Sequence, residues 1–167
     1  MAEVLFFCLS TLFNMPMPLV AIQLLWLNVV TDGLQDFALS FEKGEKDIMK
    51  EKPRDPKESL FDKSLFQEIA VAGITIGFLV FALWYYLIKY LHMDIAIARG
   101  YIMCLMVFIQ NIHVLTCRSA KKSAFTVSLT SNPIVICTII ASVILQVIVM
   151  EVDVLAKFLQ TSLVPVD

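Results

Sequence analysis

Between Pro133 and Met150 the chain reads "PIVICTIIASVILQVIVM", without one Asp, Glu, Lys, Arg or His. A helix needs about 20 such residues to cross hydrocarbon roughly 30 Å thick, and in lipid a helix satisfies all its backbone polar groups internally. Two more tracts, 65–91 and about 95–117, repeat the pattern with few charges. The remaining charges gather at 42–63 and 118–122. Only 17% of the 167 residues are charged and 59% are hydrophobic, where a soluble domain carries about 25% charged residues. Segregation on this scale predicts an all-α, polytopic transmembrane helix bundle.

Two further apolar segments complete an expected set of five. Residues 4–15 are too short to span unless the helix starts upstream of Met1, so a helix over about 1–15 is read as truncated; residues 18–41 form the second. Pro16 and Pro18 in "NMPMP" supply the turn between them. A signal peptide is a poor reading of "MAEVLFFCLSTLF", because Glu3 stands where a positive n-region belongs. The loop 42–64 holds seven of the thirteen lysines and arginines, and the loop 118–131 holds Arg118, Lys121 and Lys122. Two helices separate these loops, so the positive-inside rule puts both in the cytoplasm and the "NMPMP" turn outside. The tail 151–167 is too polar to span. A multi-pass protein of a bacterial plasma membrane is the default expectation, with the lipid bilayer as its first partner.

Other function classes lose support at this level. No basic face interleaved with aromatics occurs, which argues against nucleic-acid binding. Cys8, Cys104, Cys117 and Cys137 stand singly in apolar sequence, so neither a disulfide framework nor a soft-metal site is indicated and all four read as small buried hydrophobes. Gly73 and Gly77 in "GITIG" offer a small-xxx-small face for a neighbouring helix. Thr138, Ser142 and Gln146 recur every four residues and read as polar glue between helices. Trp84, Tyr85 and Tyr86 read as an interfacial aromatic belt.

The segment "LLWLNVVTDGLQDF" departs from all this. A carboxylate at the bilayer centre costs about 2.5–3.5 kcal/mol on insertion scales. Asn28, Thr31 and Asp32 follow an i, i+3, i+4 spacing, which puts an amide, a hydroxyl and a carboxylate on one face of an α-helix. Oxygen donors of this kind suit calcium, magnesium or manganese. Gly33 lowers the cost of unwinding the helix there. The competing reading is a buried Asp hydrogen-bonded to a neighbouring helix. Glu3 is a second carboxylate in an apolar tract, and Gln110, Asn111 and His113 interrupt the helix at 95–117. His113 reads as structural.

With these residues in place, "PLVAIQLLWLNVVTDGLQDFAL" resembles the sixth membrane helix of type II P-type cation-transporting ATPases, the group of the sarcoplasmic-reticulum and secretory-pathway calcium pumps. "KDIMKEKPRDPKESLF" (46–61) is similar to the cytoplasmic loop that follows it there. The order of elements then corresponds to helices five to nine across essentially the whole of 1–167, without helix ten. The resemblance implies that Asn28, Thr31 and Asp32 are sixth-helix ligands of the transported cation, with Glu3 the fifth-helix glutamate. The fourth-helix ligand would lie upstream, as would a fifth-helix asparagine. Gln110 stands where two-site calcium pumps carry a glutamate, which points to one ion per cycle. Calcium is the implied cargo, manganese the alternative. Gln35 and Asp36 replace the Pro-Ala that often follows Gly-Leu, and Asp36 either lines an ion exit or contacts the cytoplasmic loop.

Neither an Asp-Lys-Thr-Gly-Thr stretch nor a nucleotide-binding loop occurs. ATP and Mg would therefore be used only by the N-terminal and cytoplasmic portions of the pump, against which loop 42–64 would sit, and the chain alone is not expected to hydrolyse ATP. The leading expectation is the membrane transport domain of an ATP-driven cation pump. The alternative is a non-enzymatic truncated membrane module acting as a structural or regulatory partner.

Overall fold

The structure, a computed structural model, describes residues 1–42, 63–119 and 128–161. Most of both expected cytoplasmic loops, and the "KDIMKEKPRDPKESLF" stretch, lie outside the described residues.

The described chain is helical throughout, with no strand among its described residues. Helix α1 (Ala2–Leu12) leads through the Pro16–Pro18 turn into α2 (Ala21–Trp26). A π-helical turn (Leu27–Asp32) follows without a break, then α3 (Gly33–Leu39). The long helices α4 (Lys63–Lys89), α5 (Ile95–Thr116) and α6 (Pro133–Glu151) come next, and a short α7 (Asp153–Phe158) closes the described part. Three helices, Leu65–Lys89, Ile95–Thr116 and Pro133–Glu151, are long and apolar enough to cross a membrane; α1 is apolar but shorter.

Local chemistry sets the helix starts. Asp94 caps α5 by accepting the Ala96 amide at 2.8 Å. Asn132 caps α6 by accepting from the amides of Ile134 (3.1 Å) and Val135 (3.4 Å), with Pro133 at the first helical position where its missing N–H costs nothing.

Helix α4 is flanked by α1 and α5, while α6 packs on α3 and α5. Gly73 and Gly77 make the first contact possible. A Cβ on Gly77 would stand 2.9 Å from Leu5 Cδ2 and 3.1 Å from the Ala2 carbonyl oxygen, and one on Gly73 would stand 3.0 Å from Met1 Cβ. The "GITIG" face is thus the seat of α1. The core between helices holds Phe6, Leu27, Trp84, Ile102, Met103, Val107 and Val149. Large apolar side chains such as Val71, Phe78, Ile112 and Val147 point outward, as suits a bundle solvated by lipid.

Two sequence expectations need correction. Trp84 is fully buried in the core, while Tyr85 is half-buried and Tyr86 exposed; helical phase turned Trp84 inward. Cys8, Cys117 and Cys137 are exposed and Cys104 is half-buried; a small apolar thiol sits as readily against lipid as in a core.

Candidate functional site

The candidate site is organised by the π turn. The Gly33 amide bonds to the Asn28 carbonyl five residues back, where an α-helix would use the residue four back. π turns are rare and occur mostly as single turns within α-helices, frequently at functional sites. Such a turn advances each side chain through a smaller angle than an α turn does. Thr31 is fully buried, Asp32 is half-buried and Asn28 is exposed. The three expected ligands thus differ in how deeply they reach into the bundle. Gly33 itself is helical, with φ −61°. The helix widens at this point and does not unwind.

Each expected ligand can now be placed. Glu3 sits in the first turn of α1, and its Oε1 is buried without a hydrogen-bond partner. Thr31 Oγ1 and Gln110 Oε1 share that condition. Native interiors pair most buried polar atoms, and three of the seven left unpaired among the described residues belong to these five candidates. Asn28 Nδ2 donates to the Leu24 carbonyl at 2.9 Å, which leaves its Oδ1 as the free end. The charges of Glu3 and Asp36 both act on Asp32 through space. Helix α5, bearing Gln110, packs against the π turn. Thr31 is buried and Glu3, Asp32 and Gln110 are half-buried, while Asn28 is exposed on the described bundle. Among the described residues no three His, Cys, Asp or Glu side chains form a metal-binding group, so any donor set here mixes carboxylate with amide and hydroxyl oxygens.

A second polar group escaped the sequence reading. Gln35 Nε2 donates to Asn111 Oδ1 at 2.7 Å, and Ser142 Oγ donates to the same oxygen at 3.0 Å. Trp26 Nε1 donates to Gln146 Oε1 at 3.0 Å. The stripe on α6 does act as glue, through Ser142 and Gln146. Thr138 turns back to its own helix, onto the Val135 carbonyl. Gln35 follows Thr31 by four residues, a signal that it would face the same neighbours. His113 is exposed and bonded within α5, to Thr116 at 3.2 Å.

Residues 16–167 match the family described as "Cation transporting ATPase, C-terminus". The chain belongs to that family. The matched region includes Asn28, Thr31, Asp32 and Gln110, and Glu3 lies ahead of it. Among curated relatives of this family, the "Calcium-transporting ATPase" of Bacillus subtilis (strain 168) is 37% identical over 150 residues, covering 88% of this chain and 16% of that protein. The human "Calcium-transporting ATPase type 2C member 1" is 34% identical over 158 residues, 92% of this chain and 17% of that protein. The human "Calcium-transporting ATPase type 2C member 2" is 31% identical over 158 residues, 92% of this chain and 16% of that protein. The chain therefore spans about one sixth of the length of these relatives. For a member of the cation-transporting ATPase C-terminal family, the three membrane-length helices make an integral membrane protein, and the bundle around the π turn is its transmembrane region.

Proposed function

We propose that this chain is the membrane transport domain of an ATP-driven cation pump, and that Glu3, Asn28, Thr31, Asp32 and Gln110 give oxygens to one divalent cation in mid-membrane. The observation that carries it is the trio of buried oxygens on Glu3, Thr31 and Gln110, each without a hydrogen-bond partner. Buried oxygen acceptors left unpaired are costly, and a hard cation is the ligand that such oxygens suit. Calcium is the proposed cargo, because the relatives are named for calcium transport; manganese accepts a similar oxygen set.

The graded burial of these donors fits such a task. Thr31 and Gln110 offer neutral oxygens from the packed interior, Asp32 and Glu3 offer charge, and Asn28 offers an amide oxygen on the open side. Energy would enter from phosphorylating domains elsewhere in the pump, which bind ATP and Mg, through the loop after α3. The bacterial plasma membrane is the proposed location.

The test is Asp32→Asn in the complete pump. The expected outcome is loss of calcium-dependent phosphorylation by ATP with normal insertion. Wild-type calcium dependence in that variant would remove Asp32 from the site.

A further inference from the structure

The helix that carries the π turn is tied to its neighbours on both sides of that turn. Before it, Trp26 Nε1 donates to Gln146 Oε1 at 3.0 Å, and Gln23 Nε2 donates to the Leu159 carbonyl at 2.9 Å. After it, Gln35 Nε2 donates to Asn111 Oδ1 at 2.7 Å, and Asn132 Nδ2 donates to the Ala38 carbonyl at 3.0 Å. Within Leu27–Asp32, among the described residues, the side-chain hydrogen bond is that of Asn28 to Leu24 on the same helix. The turn is free sideways and clamped at its ends.

A π turn holds a residue more than the α turn it interrupts, and α geometry is the state that helices favour. Relaxing it would rotate one flank against the other by about 100° and shift it about 1.5 Å, the step of one α-helical residue. Trp26 and Gln35 cannot follow that rotation and keep their bonds. Their acceptors are themselves fixed: Asn111 and Gln146 are buried, and Asn111 Oδ1 also takes the Ser142 hydroxyl.

We propose that Trp26 and Gln35 are positioning residues which, through Gln146 and Asn111, lock the helix in π register and thereby set where Thr31 and Asp32 face. The register itself stands on the geometry above; its consequence for a cation rests on the proposed function. Both ties lie outside the expected ligand set, and they join the ligand-bearing helix to α5 and α6 rather than to the cation.

The experiment uses the complete pump, selectively labelled at Asn28, Val29 and Gly33, in lipid nanodiscs. Scalar coupling through the hydrogen bond reports which carbonyl accepts the Gly33 amide, and Mn2+ titration followed by electron paramagnetic resonance reports ion affinity. Wild type should correlate Gly33 nitrogen with the Asn28 carbonyl. The double variant Trp26→Phe/Gln35→Leu should move that correlation to the Val29 carbonyl and weaken Mn2+ binding at least about tenfold, as loss of an orienting residue typically does. The exchanged pair Gln35→Asn/Asn111→Gln, with Trp26 intact, should keep the Asn28 correlation and near wild-type affinity. Retention of the Asn28 correlation in the double variant overturns the proposal. So does a Val29 correlation in wild type. Should the double variant fail to fold, Gln35→Leu alone should show both correlations, and the Asn28 correlation by itself would overturn the proposal. Mn2+ binding unchanged by Asp32→Asn would instead sink the proposed ion site and leave the register result standing.

Discussion

Arg118 grips both carboxylate oxygens of Glu42, Nε to Oε2 and Nη2 to Oε1, each at 3.0 Å. The same guanidinium reaches the Ser131 hydroxyl at 2.6 Å and the Ser128 carbonyl at 3.0 Å, while Asn132 Nδ2 donates to Glu42 Oε2 at 3.1 Å. The end of α3, the end of α5 and the start of α6 are thereby fastened into one clasp. The Arg118 side chain is only 1% exposed, so this pair is more than a surface ion pair worth about 0–1 kcal/mol. Removing one partner of a buried pair costs about 3–5 kcal/mol. Glu42 sits at the helix end, where it can regain water, so Arg118→Ala should cost about 3 kcal/mol, near the lower limit of that range. Chemical unfolding in bicelles measures it.

The clasp also titrates. Hydrogen bonds from Arg118, joined by those from Asn132 and Ser131, hold the Glu42 carboxyl below its ordinary 4.5. A depressed folded pKa means that the contribution is complete above 4.5 and is lost as pH falls through the lower folded value. The stability gap between wild type and Glu42→Gln should therefore be constant at neutral pH and should close only below pH 4.5. A gap that closes between pH 6 and 8 would assign the dependence to another group.

Gly77 and Gly33 should behave in opposite ways. Any side chain on Gly77 meets Leu5 and the Ala2 backbone within 3.1 Å, and those residues flank Glu3. Gly77→Leu should lift α1 from α4, cost at least the 1–3 kcal/mol typical of overpacking, and weaken ion binding by displacing Glu3. A Cβ on Gly33 meets only the Asn28 carbonyl oxygen, at an ordinary 3.4 Å. Gly33→Ala should be neutral or should stabilise the helix by up to about 1 kcal/mol. Thermal unfolding with a parallel Mn2+ titration distinguishes the two.

How much of this was readable from the residues alone depends on the kind of signal. The membrane helices followed from long uncharged tracts, because lipid leaves a chain few alternatives. "GITIG" marked a close helix contact for the same sort of reason, since only small residues admit close backbones, but not that α1 makes it. The π turn was not legible, since nothing in "LNVVTD" distinguishes five-residue closure from four; tertiary ties at Trp26 and Gln35 select it. Trp84 misled, because an aromatic near a helix end looks the same whether it faces headgroups or the core. Asn111 was visible as a polar interruption, but its partner Gln35 lies 76 residues away, and no local pattern pairs them.

Gln110 offers the sharpest test of ion number. Its Oε1 is buried and unpaired, and an amide oxygen adds a donor without adding charge. Replacing it by the isosteric acid keeps the donor and adds a negative charge to the proposed donor set, which already holds the carboxylates of Asp32 and Glu3. Three carboxylates serving one cation site would repel unless cations neutralise them. Gln110→Glu should therefore lower stability without ions, raise divalent affinity, and make thermal stability rise more steeply with calcium than in wild type, as mass action requires of a ligand that binds only the folded state. Equilibrium dialysis with radioactive calcium on the complete pump reads the number directly. One ion per wild-type molecule and more than one for Gln110→Glu is the expected pair of results. Two ions in wild type would show that the neutral amide does not limit the site.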